Sequence, residues 1–290
     1  MTEKIERFEQ FNSIPDNLWL PLFELLQQSQ LTIESWTPEM ASEIYEQLEH
    51  PNWAPWLEAS ETTIAGRATT FPEGQLLMKD HELLVASLSL NQIQWDGDPQ
   101  KLPTWDQVAG INTTDYSETY NPNGNTLVLM SMNVANESKG KQLPSKLIEY
   151  VKLLAQELGV EHVIGSFRPS GYGQIKLEQQ YQAPDFWTYC QMKVPGTQKP
   201  LDPWLRSLWW AGMQMLKEDS HAMQIQATDA EVVEYKKTYH PEMWQLTHTS
   251  QAGWERWECG EVGEWFIKQN VNPQPPRYRE SNVWGVIPFK

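Results

Sequence analysis

Residues 126–167, "TLVLMSMNVANESKGKQLPSKLIEYVKLLAQELGVEHVIGSF", decide how the chain folds. The first nine form a near-continuous apolar run, the pattern of a strand buried on both faces. Leu143, Leu147, Ile148, Val151, Leu154, Ala155 and Leu158 then recur on one helical stripe, which Gly159 closes. "HVIGSF" supplies a second apolar strand. Strand, helix and strand within about forty residues predict a crossover between two parallel strands, hence an α/β fold.

Between the first strand and the helix lies "KGKQLPSK", which holds Lys139, Lys141 and Lys146 and no acid in a chain of net charge −16. A helix N-terminus carries partial positive charge and amides without intrahelical partners, so a phosphate or pyrophosphate suits such a loop. Lysines merely solvated near a helix end are the competing reading. Neither GxxxxGK[ST] nor GxGxxG is present.

Upstream, Leu31–Ser35 reads as a strand, and "TPEMASEIYEQLEH" as a helix with Thr37 as N-cap and Pro38 at its first position. "GQLLMKDHELLVASLSLNQI" predicts a hairpin turning at residues 79–82. Residues 95–125, rich in Asp, Asn, Gly, Pro and Thr, form an irregular excursion. Downstream, an irregular section to Leu201 includes a short helix around "DFWTYCQM". "DPWLRSLWWAGM" is a helix capped by Asp202, begun by Pro203 and ended by Gly212. "MQMLKE" and "HAMQIQAT" are two β-like runs, and from Asp229 the helical "DAEVVEYKKTY" precedes a tryptophan-rich β region ending in "NVWGVIPF".

With 290 residues, 40% hydrophobic and 21% charged, the chain has globular composition and length for a large core. Its start, "MTEKIERFEQFNSIPDNLWLPLF", is acidic and amphipathic, and no window approaches 18 apolar residues. No signal peptide and no membrane insertion are expected, and a cytoplasmic location is. Cys190 and Cys259 lack ligand spacing and read as buried thiols; no metal site is expected. The negative charge disfavours nucleic acid and favours a cationic ligand.

The order of elements resembles the GNAT acyltransferase superfamily, in its long bacterial branch seen in natural-product pathways. Val134 ends the central strand, and "KGKQLP" stands where the family has R/Q-x-x-G-x-G/A, with Gln142 and Pro144 in place of glycines. "PTWDQVAGINTTDYSETYNPNGNTL", "RPSGYG" and "DPWLRSLWWAGM" are also similar to that branch. The resemblance implies a mixed central sheet with splayed parallel strands flanked by helices. It places a GNAT-like domain at residues 1–228, with the excursion inserted, and a tryptophan-rich C-terminal helix and β extension packed on it at 229–290.

It further implies N-acyl transfer from acyl-CoA, or from the pantetheine of an acyl carrier protein, to the amine of a small molecule or a lysine- or ornithine-containing peptide. A fatty acyl donor is favoured over acetyl, and a non-catalytic binding module of the same fold is the alternative. Met132, Asn133 and Val134 would line the pantetheine channel opposite Ser166, Phe167 and Arg168. Lys139, Gly140, Lys141, Gln142, Leu143, Pro144 and Ser145 would hold the diphosphate, with Arg168 free to pair with phosphate, substrate carboxylate or a protein acid. The central strand contains no Glu, Asp or His, and the family's late tyrosine is Leu208. Tyr172, then His81 and Tyr120, are the substitutes expected to move the proton. Trp204, Trp209 and Trp210, with Met130, Met132, Met213 and Met215, pack a core or line an acyl tunnel.

Overall fold

In the computed structural model, which describes Leu26, residues 30–269 and residues 274–289, the apolar runs pair into one 10-stranded sheet. The amphipathic start of the chain lies outside the described residues. β1 (Leu31–Ser35), β2 (Gln75–Asp80), β3 (Leu83–Ile93) and β4 (Thr126–Val134) are successive antiparallel neighbours. Between β1 and β2 the helix expected from Thr37 is three pieces: a 3₁₀ turn, α1 (Ala41–Ile44) and a π turn over Tyr45–Glu49. Thr37 stands at the N-cap without a side-chain cap, and the mixed winding ends on a buried Glu49. α2 (Glu61–Thr70) follows, capped by Ser60.

The excursion between β3 and β4 is ordered. α3 (Trp105–Ala109) opens on a capping box in which Thr104 and Gln107 satisfy each other's backbone amides. Trp95, Leu102, Val108, Ala109 and Tyr116 pack with Val128, Met130, Ile164 and Trp284, so the excursion covers one face of the sheet. Opposite it, α4 (Leu143–Glu157) buries its predicted stripe against Leu127, Leu129 and Val163. Only Leu158, at the C-cap, is exposed, and Gly159 takes the left-handed φ of +65° that ends the helix. β5 (His162–Phe167) returns parallel to β4.

α5 (Tyr172–Glu178), unexpected from "GYGQIKLE", and α6 (Phe186–Gln191) precede α7 (Pro203–Trp210). Asp202 caps α7 through the amides of Trp204 and Leu205, as its sequence predicts. The two β-like runs that follow are a single strand, β6 (Gln214–Gln226). Its register against the last strand passes from Glu280↔Met223 to Asn282↔Asp219, so Ser220–His221–Ala222 bulge out where the sequence suggests a break.

α8 (Asp229–Thr238), β7 (Gln245–Thr249), β8 (Trp254–Glu258), β9 (Glu264–Lys268) and β10 (Arg277–Val286) complete the order. The segment read as an extension therefore supplies a central strand. β10 pairs with β6 along its length, with β9 at its start and with β5 at its end. Both cysteines are free and buried, and burial pushes both thiols up. Among the described residues no helix is long and apolar enough to cross a membrane.

Candidate active site

The parallel ladder between β4 and β5 runs only from Thr126↔His162 to Leu129↔Gly165. Beyond it β4 keeps its pairing with β3 but parts from β5. Met130 is an extra residue on β4, between the pairs Leu90↔Leu129 and Ser89↔Ser131. This bulge resets the alternation. Leu129 before it and Met132 and Val134 after it pack on the α4 side, while Met130 joins the opposite cluster.

Trp105 occupies the point of parting. Its indole Nε1–H donates to the Met130 carbonyl at 2.8 Å, and its backbone N–H donates to Asp219 Oδ2 at 2.9 Å. That carboxylate oxygen also accepts from Ser166 Oγ on β5 at 2.9 Å. Bulge and indole together make a slot in the sheet, part of a cavity of about 660 Å³.

Met132, Asn133, Val134, Lys139, Gly140, Pro144 and Arg168 line this cavity. Ser138, Ser166 and Phe167 line it too. Lys141, Gln142, Leu143 and Ser145 do not. Leu143 is core, Lys141 Nζ reaches Ser138 Oγ at 3.4 Å, and Gln142 holds the N-cap position with φ +58° and no side-chain cap. Pro144 is the second residue of α4. Gly140 has φ +86°, and a Cβ there would meet nothing within 4 Å, so backbone lies open to a ligand at this turn.

The three residues expected to move a proton all lie elsewhere. Tyr172 is buried, donates from its hydroxyl to the Pro184 carbonyl at 2.9 Å, and is pushed up to about 12 by burial. His81 sits on the β2–β3 turn, its Nδ1 3.0 Å from Asp80. Tyr120 stacks on Phe71 at 4.9 Å. Local sequence placed each on a loop, but the slot is assembled from segments far apart in the chain. Arg168 does line the cavity, and two carboxylates already compensate it: its Nε donates to Glu280 at 2.6 Å and its Nη2 to Glu261. Free pairing with phosphate is not its state here.

The groups missing from β4 come from other elements. Asp106, in the first turn of α3, lines the cavity and accepts the Gln224 amide at 2.7 Å. Burial, with Asp219 and Glu280 nearby, raises its carboxyl to about 7. Asp219 is likewise raised by burial. On the next part of the wall the buried Glu49 accepts from Ala59 N at 2.7 Å and from Asn133 Nδ2 at 2.6 Å, while Trp53 Nε1 donates to Asn133 Oδ1 at 2.7 Å. These bonds hold Asn133 fixed between the α1–α2 loop and β4. The capping box Thr104–Gln107 was the one sequence signal for this wall, since it marks a helix start that fixes Trp105 and Asp106.

Of the tryptophans on α7, Trp204 faces the cavity. Trp209 and Trp210 pack on each other at 4.9 Å, and Trp210 is 64% exposed under Lys199. Met130 and Met132 line the cavity, whereas Met213 is core.

No protein-family model matches the chain, and no curated protein matches it. Solved structures do. The loading GNATL domain of CurA from Lyngbya majuscula matches at 20% identity over 66% of this chain and 87% of that one, with a TM-score of 0.54. The GNAT-like decarboxylase GphF, solved in complex with isobutyryl-CoA, matches at 22% identity over 66% of this chain and 90% of that one, with a TM-score of 0.53. The likeness is one of fold.

Proposed function

We propose that this chain, which has the GNAT fold, is an acyltransferase that takes an acyl group from a coenzyme A thioester and delivers it to an amine. One observation carries the reading: the slot between β4 and β5 has a lysine-bearing helix start at one end and a carboxylate wall at the other. The first suits a diphosphate and the second an ammonium group. Lys139, Gly140 and the open first turn of α4 would hold the diphosphate, with pantetheine running along Met132, Asn133 and Val134.

Alternate amides of β4 beyond the bulge point into the gap, where one can hydrogen-bond the thioester oxygen as negative charge develops on it. The ammonium first releases one proton to solvent; the neutral amine nitrogen then attacks the carbonyl carbon, the C–N bond forms, the C–S bond breaks and coenzyme A leaves as thiolate. Asp106 takes the amine's proton and returns it to the sulfur. A carboxylate poised near neutrality suits both transfers. Leu88, Leu129, Met132, Phe167 and Trp204 give the slot an apolar stretch that suits an alkyl chain, which supports a fatty acyl donor. An acyl group bearing its own carboxylate would meet Asp106 and Asp219, so an uncharged acyl group fits better. The acyl group of isobutyryl-CoA, bound by the similar fold of GphF, is of that kind.

The test is mass spectrometry of 1,4-diaminobutane and a lysine-containing peptide after incubation with acetyl-CoA or palmitoyl-CoA. Expected is the mass of one acyl group on an acceptor, with one free thiol released. If no donor gives a mass gain and coenzyme A leaves the melting temperature unchanged, the fold serves as a non-catalytic binding module instead.

A further inference from the structure

One polar atom of the slot is left over. Asn282, on β10, is 1% exposed and lines the cavity, yet its Oδ1 has no hydrogen-bond partner among the described residues. Its amide orientation is fixed, because Nδ2 donates to the Ser166 carbonyl at 3.3 Å and a flipped amide would set two oxygens against each other. A buried acceptor without a donor costs free energy that a ligand N–H or O–H recovers. The ligand's chemistry is read from the neighbours. Asn282 is the register partner of Asp219, both side chains bond Ser166, and Asp219 binds the backbone of Trp105, next to Asp106. Asp106, Asp219 and the Asn282 oxygen are all acceptors, so what fits here is a group rich in donors.

We infer that Asn282 selects primary amines as acceptors, by accepting the one N–H that acyl transfer leaves on the nitrogen. The inference rests on the amine-acylation reading above. A neutral primary amine brings a lone pair and two N–H bonds. The lone pair forms the C–N bond, one proton passes to Asp106 and then to the departing thiolate, and the second N–H persists in the amide product. Asn282 Oδ1 takes that second N–H. A secondary amine has only one proton, which must leave, so its extra carbon faces the amide oxygen and the acceptor stays unmatched in a buried site. Sites built to bond a specific N–H reject analogues that lack it far better than apolar pockets discriminate size.

The experiment measures kcat/KM with acetyl-CoA for butylamine and 1,4-diaminobutane against their N-methyl derivatives, in the natural chain, Asn282→Ala and Asn282→Ser. The natural chain is expected to prefer primary amines by about 10- to 100-fold, the size set by leaving a buried acceptor unmatched. Asn282→Ala should bring the ratio toward one. Asn282→Ser, whose hydroxyl can still accept, should keep part of the preference even if the alanine variant fails to fold. An acetyl-CoA melting shift equal in all three chains separates specificity from folding. A preference unchanged in the substituted chains overturns the role of Asn282. Acetyl-CoA binding without acylation of any primary amine instead overturns the amine reading itself.

Discussion

Asp106 carries the proton chemistry proposed here, and its environment makes the claim measurable. Burial and the neighbouring Asp219 and Glu280 hold its carboxyl at about 7. The base is ionised only above that pH, so kcat/KM should rise through pH 7 and level off. Asp106→Asn should remove the rise and lower kcat by about 10²- to 10⁴-fold, the usual contribution of a positioned general base. The same group marks stability. Between its ordinary value near 4 and the raised value, the folded chain keeps a proton the unfolded chain has released, so stability falls as pH rises across that window. Urea midpoints from pH 4 to 8 should show this slope lessened in Asp106→Asn, and an unchanged slope would contradict the assignment. At the other end of the slot, Lys139→Glu with Lys141→Glu should raise the KM for acetyl-CoA about 10-fold or more through reversed charge. An unchanged KM would remove the loop from donor binding. The lysines were legible because charge and spacing are local, whereas Asp106 and Asn282 were not, since each joins the wall through contacts more than a hundred residues distant in sequence.

Among the elements, α3 decides whether β4 and β5 stay apart. Its Trp105 gives the Met130 carbonyl a donor where the ladder ends, and its backbone amide joins Asp219 to Ser166 on β5. Trp105→Phe keeps the bulk and removes the donor. It should cost about 1–3 kcal/mol of stability, the range for a buried acceptor left unmade, and weaken acetyl-CoA binding as the strands close. Urea unfolding and a titration of the donor read the two effects, and equal donor affinity would show that the indole does not hold the slot. The stretches containing β4, α4, β5 and α7 announce themselves through continuous periodicity and caps. β6 does not, because Asp219 and Ser220 read as a break between two runs until β10 is seen to pair across the bulge. α5 is hidden for a related reason: two glycines flank its Tyr172, and its buried Lys176 is satisfied by distant groups, Glu258 and the carbonyls of Val262 and Gly263.

On the scale of the whole molecule, the last strand holds both halves together. β10 is bonded to β5 and to β6, and it carries Asn282 to the slot and Glu280 to Arg168. A chain ended at residue 228 lacks that strand and leaves β5 and β6 with bare edges, so it should show no cooperative thermal transition by circular dichroism. A cooperative, folded fragment would mean that the rest of the sheet stands without it. The acidic charge of the chain and its internal carboxylate wall both favour a cationic acceptor over an anionic one.

A thioester donor lying between β4 and β5 would shield backbone amides there, which hydrogen exchange with and without acetyl-CoA measures. Slowed exchange over residues 130–134 and 139–146, and not over the edge strands β1 and β7, is the predicted result. Acetyl-CoA that leaves both segments unchanged, or protects a different region, would contradict it.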